Sequence, residues 1–203
     1  MRYAIFWIRG SRADSLRRSA AALLVALLTL TPCARAETPP SCPRATGKLT
    51  LRQLGGVIIR EGQGLGHVRI GADLSDVRRV WGEPHECEPA IDGWRMIYAL
   101  MRDDTSIVGE GMVAVVMART SVTALIVIVP APDGAAAQSL GTSRGLRFGE
   151  PLDRARQVYG APDRDTGDAL IYSAGGLAVH TIGGVVGAIA VFAPGAPPRS
   201  LTP

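Results

Sequence analysis

"VRIGADLSDVRRVWGEPHE" at residues 68–86 returns as "LRFGEPLDRARQVYGAPDR" at 146–164, 78 residues further on and without a gap. Gly71 matches Gly149, Leu74 matches Leu152, Val77 matches Ala155 and Val80 matches Val158. Trp81 matches Tyr159, Gly82 matches Gly160 and Pro84 matches Pro162. Self-similarity at a fixed offset is the mark of a duplicated structural unit.

Each copy reads as strand end, turn, short helix and stop. Leu74, Val77, Val80 and Trp81 fall on one face at helical spacing. Asp73 suits an N-cap and Asp76 the first turn. Pro151 replaces Asp73 in the second copy and suits the first helical position, so that helix is expected to start one residue differently. Gly82 and Gly160 suit a backbone that reverses after a helix, and Pro84 and Pro162 forbid its resumption.

Strands follow each helix: 93–101, 111–118 and 122–130 in the first unit, then 169–174, 176–182 and 184–192 in the second. All are short, rich in Val and Ile, and separated by Gly or polar turn residues. The order helix–strand–strand–strand, twice, predicts an α+β fold, with antiparallel sheets covered on one face by short helices. The expected organisation is a lead-in at 37–66, a first unit at 67–130, a linker at 131–145, a second unit at 146–193 and a loose tail at 194–203.

Residues 1–36 read as a secretory signal. Five arginines precede the apolar stretch "AAALLVALLTL" (20–30), and small residues Ala34 and Ala36 set a cleavage site. The apolar core is shorter than the roughly 20 residues a permanent anchor needs. Expected location is therefore periplasmic or secreted, by ordinary secretion. Lipidation at Cys33 and twin-arginine export through Arg17-Arg18 remain open beside it.

Removing the signal changes the charge. The chain carries 22 basic and 18 acidic side chains. The signal takes six arginines and one aspartate, leaving 16 basic against 17 acidic, a net of −1. No basic surface remains to collect phosphates, so nucleic acid is not an expected partner. Nothing after residue 36 is long and apolar enough to cross a membrane as a helix.

Two cysteines follow the signal, Cys42 and Cys87. In an oxidising compartment an even pair predicts one disulfide, pinning the Pro-rich start of the mature chain to the loop after the first helix. Two thiols too far apart to meet are the other reading.

The pattern V-x-I-G-x-x-L-x-x-V-x-x-V-W-G-x-P, followed about ten residues on by Trp94 and Tyr98, resembles the SmpA/OmlA (BamE-like) unit of bacterial envelope proteins. The tandem arrangement is similar to the fold of the secreted β-lactamase inhibitor protein. Matching positions are Gly71, Leu74, Val77, Gly82, Pro84, Trp94 and Tyr98, then Gly149, Leu152, Gly160 and Pro162. The resemblance implies helices packed on an antiparallel sheet and a role in binding other proteins.

Few residues point to chemistry. "GTSRG" (141–145) matches the G-x-S-x-G nucleophile elbow, but that elbow needs a strand before Ser143 and a helix directly after it, where this sequence has an extended lead-in. "HECE" (85–88) gathers imidazole, thiol and carboxylates, yet His67 and His180 are far off in sequence and no zinc spacing is completed. His180 alternates with apolar neighbours, as a strand residue does. Asp103-Asp104 reads as a hairpin turn. Trp94 is a candidate aromatic anchor for a partner, a residue type enriched at binding hot spots. No cofactor, metal or catalytic set is expected. The expected function is a non-enzymatic protein–protein interaction module of the bacterial cell envelope, whose partner is another envelope or secreted protein. An inhibitor of a secreted enzyme, and a small exported hydrolase using Ser143, are the alternatives.

Overall fold

The computed structural model describes residues 48–50, 54, 58–91, 93–101, 111–130 and 140–198. All belong to one compact unit, Glu37–Pro203. The expected signal (1–36, with Cys33, Arg17 and Arg18), Cys42 and Asp103-Asp104 lie outside the described residues.

The elements in chain order are β1 (Lys48–Thr50), β2 (Ile58–Arg60), β3 (Gly64–Leu65), β4 (Val68–Arg69), α1 (Leu74–Trp81), β5 (Glu86–Ala90), β6 (Gly93–Met101), β7 (Gly111–Ala118) and β8 (Ser121–Ile128). Then come β9 (Gly141–Thr142), α2 (Leu152–Tyr159), β10 (Arg164–Asp165), β11 (Ala169–Tyr172), β12 (Leu177–Ile182) and β13 (Val185–Phe192).

The expected α+β class, with antiparallel sheets covered on one face by short helices, is wrong. The fold is mostly β, built on one large mixed sheet of nine strands. Its order is β1-β6-β7-β8-β13-β12-β11-β10, with β5 also paired to β6. Among the described strands only β1 joins it in parallel. A second, four-stranded sheet runs β4-β3-β2-β9.

The physical reason for the miss lies in what covers the sheet. The two described helices have eight residues each, and each buries only two side chains, Val77 and Trp81 or Leu152 and Ala155. The rest of the cover comes from the small sheet and its loops. Leu54, Ile59, Leu65, Val68, Leu146 and Phe148 join the same core cluster as Leu125, Val127, Ile189 and Val191 of the large sheet. Strands of two or three residues are too short for a period-2 alternation to show, so most of the small sheet was read as lead-in and linker.

The duplicated phrase does recur in the backbone. Gly71 donates to the Val122 carbonyl at 2.8 Å, and Gly149 to that of Val186 at 2.9 Å. His85 donates to Ile97 and Asp163 to Ile171, both at 2.8 Å. Gly82 and Gly160 both close on the carbonyl four residues back, Arg78 and Arg156. The helices start in register, at Leu74 and Leu152: Pro151 is the N-cap and not the first helical residue, because its ψ of 150° is extended. Asp73 holds the same N-cap place in α1, without a side-chain cap bond.

The two halves meet at β8 and β13, paired antiparallel from Ala124–Phe192 to Ile128–Ala188. Laterally paired residues share a face. Val116, Ala124, Ile126, Ala178, Ala190, Ile171 and Phe192 thus form a second cluster on the face away from the helices.

Gly160 and Gly176 separate two kinds of glycine requirement. Gly160 has φ +84° with open space around a would-be Cβ, so alanine there meets only backbone strain, about 1–3 kcal/mol. A Cβ on Gly176 (φ +65°) would stand 2.2 Å from the Phe192 carbonyl oxygen and 2.7 Å from Gly62 Cα. Gly176→Ala is therefore expected to lower the urea midpoint clearly more than Gly160→Ala. Equal losses would contradict the close approach of β12 to the β2–β3 turn.

Candidate functional site

Parallel pairing of β2 with β9 matches Ile59 to Thr142, so that Glu61, two residues past Ile59, comes beside Ser143, one past Thr142. Both sit in turns. Residues 143–145 form a tight one, in which Gly145 donates to the Thr142 carbonyl at 3.0 Å and Leu146 to the Thr142 hydroxyl at 3.1 Å. Helix α2 ends beside them, bringing Tyr159 over the turn.

The Glu61 carboxylate accepts from three donors: the Ser143 hydroxyl, the Tyr159 hydroxyl at 2.5 Å and the Arg144 backbone N–H at 3.3 Å. Tyr159 and Thr142 hydroxyls also lie 2.6 Å apart. A phenol has one proton, so Tyr159 gives it to the carboxylate and accepts from Thr142. Burial alone would raise the pKa of Glu61, but the bonds from Ser143 and Tyr159, helped by its own and the Arg144 backbone, outweigh it and hold the pKa below its usual 4.5. Burial, reinforced by the bond to Glu61, pushes the Tyr159 hydroxyl well above its usual 10. At neutral pH the group is thus a carboxylate held by neutral donors.

Outside this knot an open cleft of about 170 Å³ is walled by Arg144, Tyr159, Asp163 and Tyr172, with Ala161, Ala174 and Gly175 also lining it. The Tyr159 and Tyr172 rings lie 5.3 Å apart at 46°, and the Arg144 guanidinium sits 5.3 Å from the Tyr159 ring centre. Asp163 accepts from the Ser173 backbone N–H at 2.5 Å. Tyr172 is only 6% exposed, and its hydroxyl has no hydrogen-bond partner among the described residues.

The residues singled out from sequence fall as follows. Ser143 is brought to Glu61, but no nucleophile elbow forms: two turns separate it from α2, which begins only at Leu152. Trp94 is half-buried in β6 and packs against the main core. Trp81 is buried and meets the Tyr98 ring edge-on at 5.5 Å, while its repeat counterpart Tyr159 is half-exposed at the cleft. His85 is exposed, and His180 in β12 is partly buried, its pKa lowered by burial. Among the described residues no three His, Cys, Asp or Glu side chains are grouped to hold a metal ion. Cys87 is half-buried in β5 and is not a free thiol, while its expected partner Cys42 lies outside the described residues. The Cys42–Cys87 pairing thus stays an expectation. Intact mass of the exported chain should rise by two hydrogens on reduction and fall back on reoxidation; an unchanged mass removes the pairing.

Glu61, Tyr172 and the cleft were missed by sequence reading. Glu61 stands in "REGQG", where it looks like an ordinary turn residue, and only the β2–β9 pairing, 82 residues apart in sequence between Glu61 and Ser143, gives it partners. No protein family, curated protein or solved structure matches this chain.

The pH dependence of stability follows from Glu61. Its folded pKa is depressed, so its contribution is fully present above its unfolded value near 4.5 and is lost as pH falls through the folded value. Thermal melts should show Glu61→Gln less stable than the parent at pH 7, with the gap closing below pH 4. A gap that widens in acid would reverse the assignment.

Proposed function

We propose that the chain is an exported, non-enzymatic protein–protein interaction module of the cell envelope, and that the cleft beside α2 is where it meets another envelope or secreted protein. The single observation that carries this reading is the composition of the cleft: an exposed Arg144 stacked on a half-exposed Tyr159, whose ring packs against the buried Tyr172. Tyr and Arg are the residue types that concentrate binding energy at interfaces, because they bring large contact area with polar tips. Arg144 is suited to such a role. It is exposed, its guanidinium makes no ion pair among the described residues, and its backbone is fixed by Glu61. The resemblance to SmpA/OmlA units points the same way, though no family match supports it.

The hydrolase reading has one observation in its favour, the contact between Ser143 and Glu61. It falls short in chemistry. A general base works best with a pKa near the operating pH, whereas Glu61 is held low by three donors. It anchors the turn more than it activates a hydroxyl. The inhibitor reading is a special case of protein binding and shares its test.

The mature chain immobilised on resin should retain a specific envelope protein from periplasmic extract, and Arg144→Glu should lose most of that capture without a change in melting temperature. Capture unaffected by Arg144→Glu would move the contact surface elsewhere. Hydrolytic activity that vanishes with Ser143→Ala would overturn the non-enzymatic reading.

A further inference from the structure

Three chain segments meet beside the cleft: the β2–β3 turn, residues 173–176 and residues 193–196. Gly62 in the β2–β3 turn donates to the Gly176 carbonyl at 3.3 Å, and Phe192, the last residue of β13, donates to the same oxygen at 3.0 Å. The chain then turns at Ala193–Ala196, closed by the Ala196 N–H on the Ala193 carbonyl at 3.0 Å. Within that turn Gly195 donates to the Ser173 carbonyl at 2.8 Å. A Cβ on Gly62 would stand 2.9 Å from Pro194 Cγ and 3.1 Å from the Gly175 oxygen, so the three segments are packed in direct contact. Gly62, Gly176 and Gly195 have φ of +68°, +65° and +78°, a backbone that glycine adopts without strain. Past the turn Pro197 is half-buried and Pro198 buried, so the segment that follows β13 is held at both ends.

Each of the other two segments carries one wall of the cleft. Ser173 donates its N–H to the Asp163 carboxylate, and Ala174 and Gly175 line the cleft with Asp163. On the other side Glu61 directly precedes Gly62, and its carboxylate holds the Tyr159 hydroxyl and the Arg144 N–H. The segment after β13 touches both: Gly195 grips Ser173, and Pro194 lies against Gly62. The joint is otherwise lightly made. Residues 172–176 close on themselves through two bonds of 3.1 Å, Gly175 to Tyr172 and Gly176 to Ser173, and the Gly62–Gly176 bond is longer still. Ala174, Gly175, Pro194 and Gly195 are all exposed, so water competes for these main-chain groups once the segment lifts.

We propose that residues 193–198 are a strap that holds the two walls of the cleft in register, so that the cleft has its binding shape only while the strap is seated. This rests on the reading of the cleft as the contact surface and adds a device that controls it. Pro194, Pro197 and Pro198 have fixed φ, which lowers the entropy lost when the strap docks. The strap lies past the last strand, and none of its residues belongs to either core cluster. A protease that clips it would therefore loosen the cleft and leave the sheet folded.

Amide hydrogen exchange followed by NMR tests it on two variants. Gly195→Pro removes the donor and cannot adopt φ +78°, and a chain stopped after Ala193 lacks the strap altogether. In both, the amides of Gly62, Arg144, Ser173 and Gly176 should exchange roughly two- to tenfold faster, the span of one net hydrogen bond. Those of Val115 and Val127, paired in the middle of β7 and β8, should keep their rates. Unchanged exchange at Ser173 and Arg144 in both variants overturns the strap. So does equal acceleration at Val115 and Val127, which would make the segment a support of the whole sheet. Capture of the partner should fall in both variants as it does in Arg144→Glu. If capture survives both while Arg144→Glu abolishes it, control by the strap is overturned and the cleft stands as the contact surface. If capture survives all three, both readings fall.

Discussion

β8 and β13 lie side by side over Ala124–Ile128 and Ala188–Phe192, and the placement of the other elements follows from that seam. Each strand ends its own half of the chain, and pairing them antiparallel fuses two three-stranded meanders into one sheet. Alternation along the seam loads both faces: Leu125, Val127, Ile189 and Val191 enter the main core, while Ala124, Ile126, Ala190 and Phe192 form the cluster behind it. A slip of one residue would exchange these sets and set alanines where the core needs Leu and Val, so the register is strongly specified. The helices, by contrast, contribute two buried side chains each and could not hold the halves together.

The seam also explains why the duplicated phrase is spent on backbone. Gly71 and Gly149 donate to residues near the starts of β8 and β13, Val122 and Val186, and those same residues return the bond to Ala72 and Glu150. Each helix is thus tied at its start to one of the two strands that form the seam. Gly82 and Gly160, with φ +77° and +84° and ψ beyond −150°, occupy a region open essentially to glycine, and let the chain leave the helix for the following strand. Conservation of these positions between the copies within one chain follows from geometry; it carries no information about a ligand.

Legibility in the sequence divides along the same line. β6 and β7 were read at their observed bounds, because eight or nine residues rich in Val, Ile and Met between turn signals leave little alternative. Both helices were placed to within a residue, from Asp73, Pro151 and the two terminal glycines. Class and cover were misread, because β2, β3, β4 and β9 are each two or three residues long and acquire strand identity only from one another. The site was less legible still. Ser143 was noticed for a motif that the fold does not complete, and Trp94 for an exposure that its packing against the core limits. Glu61 and Tyr172 carry no local signal, since what matters about them is a partner 82 residues away for the one and a missing partner for the other.

Stability alone does not call for the Tyr172 hydroxyl, which has no hydrogen-bond partner among the described residues. A phenylalanine at 172 would keep the ring against Tyr159 and remove a hydroxyl that is buried without a bond. The first half shows that the scaffold can supply an acceptor, for Tyr98 reaches Gly82. In the second half the helix-terminal aromatic is turned toward Glu61, the space it leaves opens to solvent, and Arg144 and Asp163 stand at its rim. Duplication gave this protein two copies of one frame. One copy buries its helix-terminal aromatic, Trp81, against the core, and the other holds Tyr159 half-exposed at the cleft and bonded to Glu61.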